Sequence, residues 1–295
     1  MVALAVGVVR AGAVLLGALA LLAVGTACGE RKEPTGAIVR IYPLTVQGAG
    51  ERPTSLRAAP RRIVPLGSGP RRILKALGLK KRTVSVNDEL VGLPLVGQIR
   101  RARPDLIVAS EDADPLDLAR ARAATRASVY VEPGGSLDDV EHGIDDIGLL
   151  TGRPVAARRL SAAISRTRQR VAARLSGFPV VSVFVDLGGF STVGSRSLLG
   201  DLVLEARGDN IAGAAPEQGA FPLRQLAKRN PDVYLATSDS GTTLDDLRKN
   251  PQTKRLRAVR TRRFGILRAG VVAPGPAIGD ALVQIAKILH PGAFK

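Results

Sequence analysis

The 295-residue sequence holds one cysteine, two histidines, one methionine and no tryptophan, and aromatic residues make up only 3% of it. Each scarcity removes a class of function. A single cysteine forbids an internal disulfide, so stability has to come from packing. His142 and His290 are far apart in the chain and Cys28 stands alone, so a zinc or manganese centre lacks ligands. Glu111, Asp112 and Asp114 could in principle serve a hard cation, but no metal site is expected there. G-x-S-x-G, P-loop and H-E-x-x-H patterns are absent, and the two histidines fit surface or helix-end positions. No catalytic residue set, no resident cofactor and no enzymatic activity are therefore expected.

The formal net charge is +17. Such a surplus can mark nucleic-acid binding, but that needs a basic face with aromatic stacking platforms or a groove-reading element. Here arginines are spread over every segment and aromatic side chains are few, so nucleic acid is not the expected partner. A basic surface working near anionic lipids fits better.

What is present begins at the N-terminus. Residues 11–25 are an unbroken apolar run with Arg10 as its basic flank, followed by Thr26, Ala27, Cys28, Gly29 and Glu30. Small residues before a lone cysteine suit a lipoprotein signal peptide over 1–27, in which Cys28 takes the lipid anchor and becomes the mature N-terminus. A retained membrane helix and a plain secretory signal are the competing readings, and Gly25 stands where such signals usually carry a branched apolar residue. All three readings put the body of the chain outside the cytoplasmic membrane, in the cell envelope. Residues 28–37 read as a tether, and no second apolar run of membrane length follows.

Alternation over 37–46, a turn at 47–51 and the Thr54-Ser55-Leu56 segment predict a hairpin. From Arg62 to His290, short β-branched runs alternate with amphipathic stretches, the pattern of βα units. Strands are predicted at 62–66, 83–86, 105–109, 128–131, 180–187, 233–236 and 264–267. Between the fourth and fifth, Ser136 with Asp139 signals a helix start, Thr151 to Pro154 breaks that helix, and a second runs to about Ser176 with Leu160, Ile164, Val171 and Leu175 on one face. At 1.5 Å per residue that second helix covers roughly 34 Å. The fold class is thus α/β, with two βα lobes of small parallel sheets joined by one long connecting helix and a cleft between them. The N-terminal lobe is placed at 38–135, the connecting helices at 136–177 and the C-terminal lobe at 178–295. A weak internal repeat supports two lobes, since R-A-R-P-D-L-I-V-A-S at 101–110 parallels K-R-N-P-D-V-Y-L-A-T at 228–237.

Gly67, Ser68 and Gly69 follow a strand and precede Pro70, which suits a helix's first turn, with Ser68 or Gly69 as its cap. Arg72 stands where a dinucleotide loop would have its third glycine. Free N–H groups at that helix start, with Arg71 and Arg72 beside them, predict an anionic ligand. Ligands in open α/β sheets sit at the carboxyl ends of strands, which adds Ser110 and Glu111 in the first lobe and Phe190, Ser191, Ser238, Asp239 and Arg268 in the second.

The stretch R-I-V-P-L-G-S-G-P-R-R-I-L-K-A-L-G-L at 62–79 resembles the opening of the periplasmic-binding family for ferric siderophores, haem and vitamin B12. Three later stretches are similar to its second-lobe motifs: S-L-L-G-D-L-V-L-E-A-R-G-D-N-I-A at 197–212, F-P-L-R-Q-L-A-K-R-N-P-D-V-Y-L at 221–235, and P-G-P-A-I-G-D-A-L-V-Q-I-A-K-I-L-H-P at 274–291. The resemblance covers most of 38–291 in order. It implies a monomeric receptor that binds a ferric siderophore, cobalamin or haem, moves little on closing, and hands its ligand to an ABC permease in the cytoplasmic membrane. The chain also departs from the pattern. The family's docking glutamates are missing, with Gly97, Gln98, Ile99 and Arg100 in a shortened first-lobe segment and Arg224 in the second lobe, and Arg72 replaces a further glutamate. Of the three tyrosines, Tyr42, Tyr130 and Tyr234, the last two fall inside predicted strands and are expected in the core. Arginine near strand ends favours a negatively charged ferric chelate, with cobalamin as the alternative. A non-transport envelope adaptor of the same fold is the reading from another class.

Overall fold

The computed structural model describes residues 41–213, 218–268 and 270–295. The predicted leader, the lipidated Cys28 and the tether lie outside the described residues. Among those described, no helix is long and apolar enough to cross a membrane.

The hairpin predicted near the start is present as β1 (Leu44–Val46) antiparallel to β2 (Thr54–Leu56), with Leu44 opposite Leu56. The first lobe then runs β3 (Ile63–Leu66), α1 (Ser68–Ala76), α2 (Leu93–Ala102), β4 (Leu106–Ser110), α3 (Pro115–Thr125) and β5 (Ser128–Glu132). Its sheet is parallel in the order β3-β4-β5, with Ile63 opposite Leu106 and Leu106 opposite Ser128. The strand predicted at 83–86 does not form. Only a single bridge joins Thr83 to Ile63, and the Val84 N–H donates to the Ile63 carbonyl at 2.8 Å. The next rung would need an N–H from Pro65, which has none, so the ladder stops after one step.

Two helices cross between the lobes. In α4 (Leu137–Thr151) the Ser136 hydroxyl accepts from the Asp139 N–H at 3.1 Å, and Gly152 closes the helix in the left-handed conformation. The second, α5 (Pro154–Leu175), has Pro154 in its first turn and buries Ala157, Ser161, Ile164, Val171 and Leu175. Its 22 residues span about 33 Å.

The second lobe continues through β6 (Val181–Asp186), β7 (Ser191–Thr192), α6 (Leu198–Glu205), β8 (Gly208–Asn210), β9 (Gly219–Ala220), α7 (Leu223–Arg229), β10 (Val233–Thr237), α8 (Leu244–Lys249), α9 (Arg257–Arg260), β11 (Phe264–Leu267) and α10 (Ile278–Leu289). Its main sheet has the order β11-β10-β6-β8, parallel throughout, and β7 pairs antiparallel with β9. One hydrophobic core takes in Ile73 and Leu74 of α1, Ile144 of α4, Ile164 of α5, Leu202 of α6 and Leu282 of α10, so the lobes share a packed spine through the connecting helices.

The sequence repeat is also a structural repeat. Arg103 and Asn230 end α2 and α7 in the left-handed conformation, each followed by a Pro-Asp pair and a buried strand. The Asp105 carboxylate accepts from the Arg61 and Arg62 N–H groups at 2.5 and 3.0 Å. Asp232 accepts from the Ser182 hydroxyl at 2.8 Å and from its N–H at 3.3 Å. Each aspartate therefore ties the start of its own strand to that of the neighbouring parallel strand.

Candidate functional site

Between the lobes lies a cavity of about 510 Å³. The first lobe contributes Ser68 and Gly69 at the start of α1, Ser110, Glu111 and Asp112 after β4, and Glu132, Gly134 and Gly135 after β5. The facing wall is Arg196, Ser197 and Leu198 before and within α6, with Ala273 and Pro274 ahead of α10. The first-lobe groups all stand at carboxyl ends of parallel strands, where side chains project past the last rung toward the facing lobe.

Local geometry explains the loop at 67–69. Gly67 has φ +99°, and a Cβ there would lie 2.2 Å from the Ser110 hydroxyl, so only glycine fits. Gly67, not Ser68 or Gly69, takes the cap position of α1, and no side chain caps that helix. The Gly67 N–H instead donates to the Asp88 carboxylate at 2.7 Å, and the Arg71 guanidinium pairs with the same carboxylate. Burial alone would raise the Asp88 carboxyl, but the Gly67 N–H and Arg71 outweigh it and hold it below its usual range. Arg72 turns across the interface, its guanidinium donating to the Gly270 carbonyl at 2.7 Å. Of the donors expected to serve an anion at this helix start, the Gly67 N–H and the Arg71 and Arg72 guanidinium groups are thus engaged by the protein's own carboxylate and backbone.

Of the residues predicted for the site, Ser68, Gly69, Ser110 and Glu111 are brought together in the cavity wall. Arg71, Phe190, Ser191, Ser238, Asp239 and Arg268 are not part of that wall. Phe190 packs against the second-lobe core and its carbonyl accepts from the Phe221 N–H at 2.9 Å. Ser191 is used in the β7–β9 pair, and Ser238 and Asp239 form a 3-10 turn after β10. Tyr130 and Tyr234 are fully buried, as expected, with hydroxyls donating to Asp146 at 2.8 Å and Asp186 at 2.9 Å. His290 is buried at the end of α10, with Nε2 3.0 Å from the Ala206 carbonyl, and His142 is exposed.

Sequence reasoning missed Glu132. It ends β5, so the strand-end rule that selected Ser110 also reaches it. Its side chain is 1% exposed and neither carboxylate oxygen has a hydrogen-bond partner among the described residues. Burial, with Asp112 nearby, pushes its carboxyl up to about 8. A Cβ at Gly69 would lie 3.1 Å from Glu132 Oε2, so glycine at 69 leaves the space over the carboxyl clear. The neighbouring acids are engaged. The Ser110 hydroxyl donates to Asp112, and the Gly134 N–H donates to Glu111 at 3.0 Å. Among the described residues no group of three or more His, Cys, Asp or Glu side chains is placed to hold a metal ion. Nor, among the described residues, does the cavity wall carry an aromatic ring.

Comparison with known proteins follows the same lines. The chain is 23% identical to the ABC transporter substrate-binding lipoprotein YvrC of Bacillus subtilis (strain 168), over 97% of this chain and 99% of that protein. Among solved structures it is similar in fold to nickel-bound CeuE of Helicobacter pylori, with a TM-score of 0.73 and 17% identity, covering 85% of this chain and 90% of the other. It is also similar to the periplasmic haem-binding protein RhuT from Roseiflexus sp. RS-1, with a TM-score of 0.67 and 23% identity over 80% of this chain and all of the other. Residues 91–269 match the family model for periplasmic binding proteins, and on that match across more than half of its length the chain belongs to the periplasmic binding protein family.

Proposed function

We propose that the chain is the substrate-binding lipoprotein of an ABC importer, held at the outer face of the cytoplasmic membrane by lipidated Cys28. In this reading it captures a ferric siderophore or related metal chelate between its lobes and delivers it to a permease. The observation that carries the reading is a strand-end cavity walled by both lobes, in a chain that aligns over almost its whole length with an ABC substrate-binding lipoprotein. Lobe limits at 38–135 and 178–295, with connecting helices over 136–177, go with it. Ser68, Gly69, Ser110 and Glu111 then contact the ligand, together with Asp112, Glu132, Arg196 and Ser197 from the same wall. Cobalamin and haem, as flat macrocycles, gain most from stacking on aromatic side chains. A wall without rings therefore favours a compact chelate held by polar groups.

The test is calorimetric titration of the purified protein with ferric siderophores, haem and cobalamin. The expected outcome is one-to-one binding of a ferric chelate with Kd below about 10 μM, equivalent to roughly −6.8 kcal/mol. Binding of cobalamin alone would move the reading to a corrinoid receptor. If the whole panel fails to bind, the envelope adaptor takes its place.

A further inference from the structure

We propose that the cleft takes a chelate carrying a cationic nitrogen, with Glu132 as its buried counter-charge and Glu111 and Asp112 at the rim, and that it turns away polyanionic chelates. This rests on the reading of the chain as a chelate receptor and specifies which chelates it receives.

The first observation is the state of Glu132. A carboxyl group with 1% of its surface exposed and no partner for either oxygen is costly, because burial removes its water and nothing replaces it. Among the described residues the protein supplies no counter-ion for it. The group lines the cavity, so a ligand entering there can supply the missing partner, and a cationic one draws the carboxyl into its charged form. An ionised donor fits best, since hydrogen bonds between opposite charges are roughly twice as strong as neutral ones.

The second observation is the sign of the wall. In a chain with a formal charge of +17, the described residues lining the cavity include three acidic side chains, Glu111, Asp112 and Glu132, against one guanidinium, the exposed Arg196 on the facing lobe. Arg71 and Arg72 are engaged elsewhere, with Asp88 and with the Gly270 carbonyl. A trianionic chelate would bring like charge against the rim carboxylates Glu111 and Asp112 and would offer no cation to hold Glu132 in its charged form. A chelate with an uncharged metal core and a pendant ammonium or guanidinium completes the site.

The experiment compares three ferric chelates by calorimetric titration. Ferrioxamine B is a tris-hydroxamate with a neutral iron core and a pendant primary ammonium. Its N-acetyl derivative keeps the core and loses the cation, and a ferric tris-catecholate carries three negative charges. For the wild-type protein, ferrioxamine B should bind at least about tenfold more tightly than the acetylated form, and the catecholate should bind weakest. Glu132→Gln should reduce the ratio between the first two toward one. The wild-type comparison stands without the variant, so a folding defect in Glu132→Gln does not remove the test. Equal or tighter binding of the acetylated or catecholate chelate overturns the cation preference and leaves the receptor reading intact. No binding of any chelate overturns the receptor reading, and the preference falls with it.

Discussion

Glu132 concentrates the chemistry of this chain in one side chain. Its carboxyl keeps a proton in the folded state up to about pH 8, whereas in the unfolded chain it gives the proton up near the ordinary glutamate value. Folding therefore favours the protonated form, and the contribution of Glu132 to stability falls as pH rises through that interval and levels off above it. Asp112 adds to the effect of burial, its negative charge disfavouring ionisation of Glu132. Glu132→Gln replaces an ionisable group with a neutral one of similar shape. The variant should match wild-type Tm near pH 5 and exceed it at pH 9, by a difference equivalent to at most about 5 kcal/mol of stability. Thermal melts of both proteins at the two pH values measure this, and equal melting temperatures at pH 9 would contradict it. The residue was within reach of sequence reasoning through its place at the end of a predicted strand. Its isolation was not, because the absence of a partner depends on how Gly69, the 110–112 loop and Gly143 of α4, whose Cβ would lie 3.1 Å from the Glu132 Cγ, pack around it.

At the scale of elements, the short βα units were legible because period and punctuation agree. Pro-Asp after a helix, with a β-branched run behind it, located β4 and β10. Ser136 with Asp139 located the start of α4. The segment at 83–86 misled because its β-branched composition says nothing about its neighbour, and Pro65 on β3 offers it no donor. The two-residue strands β7 and β9 carry too little pattern to be seen. Several helices end on an arginine in the left-handed conformation, where glycine is the usual occupant. Arg126, closing α3 with φ +61°, is exposed and accessible to test. Arg126→Gly should relieve the steric cost of that conformation and raise stability by about 0.5–1 kcal/mol in a urea melt. A loss of stability would mean that the arginine side chain contributes more than its backbone costs.

The whole molecule is organised around α5. Arg168 on this helix donates to Asp138 at the start of α4, at 2.5 Å, and to Glu205 at the end of α6, at 2.6 Å. One side chain thus fastens the connecting helices to the second lobe, beside a second tie in which the Leu137 N–H donates to Asp201 at 2.8 Å. Arg168→Ala should cost about 1–3 kcal/mol, because its two charge-assisted hydrogen bonds are only partly exposed to water. It should also speed amide hydrogen exchange at the first turn of α4 and in α6, while leaving β3, β4 and β5 unchanged. Uniform exchange across the lobes would show that the shared apolar core alone sets their spacing. The cleft was predictable in outline, since two βα lobes on one helix must leave a gap. Its charge was not, because arginine counted along the sequence does not tell which arginines turn away. The most direct test of the central claim, that the inter-lobe cleft receives the solute, is titration of Gly134→Trp with the tightest-binding chelate. Gly134 lies in the cavity wall, 3.3 Å from Pro274 on the facing lobe by the position its Cβ would take, so an indole there fills the space a ligand needs. The variant, with a melting temperature close to wild type, should lose binding by at least about a hundredfold. Undiminished one-to-one binding by the folded variant would place the solute elsewhere and contradict that claim.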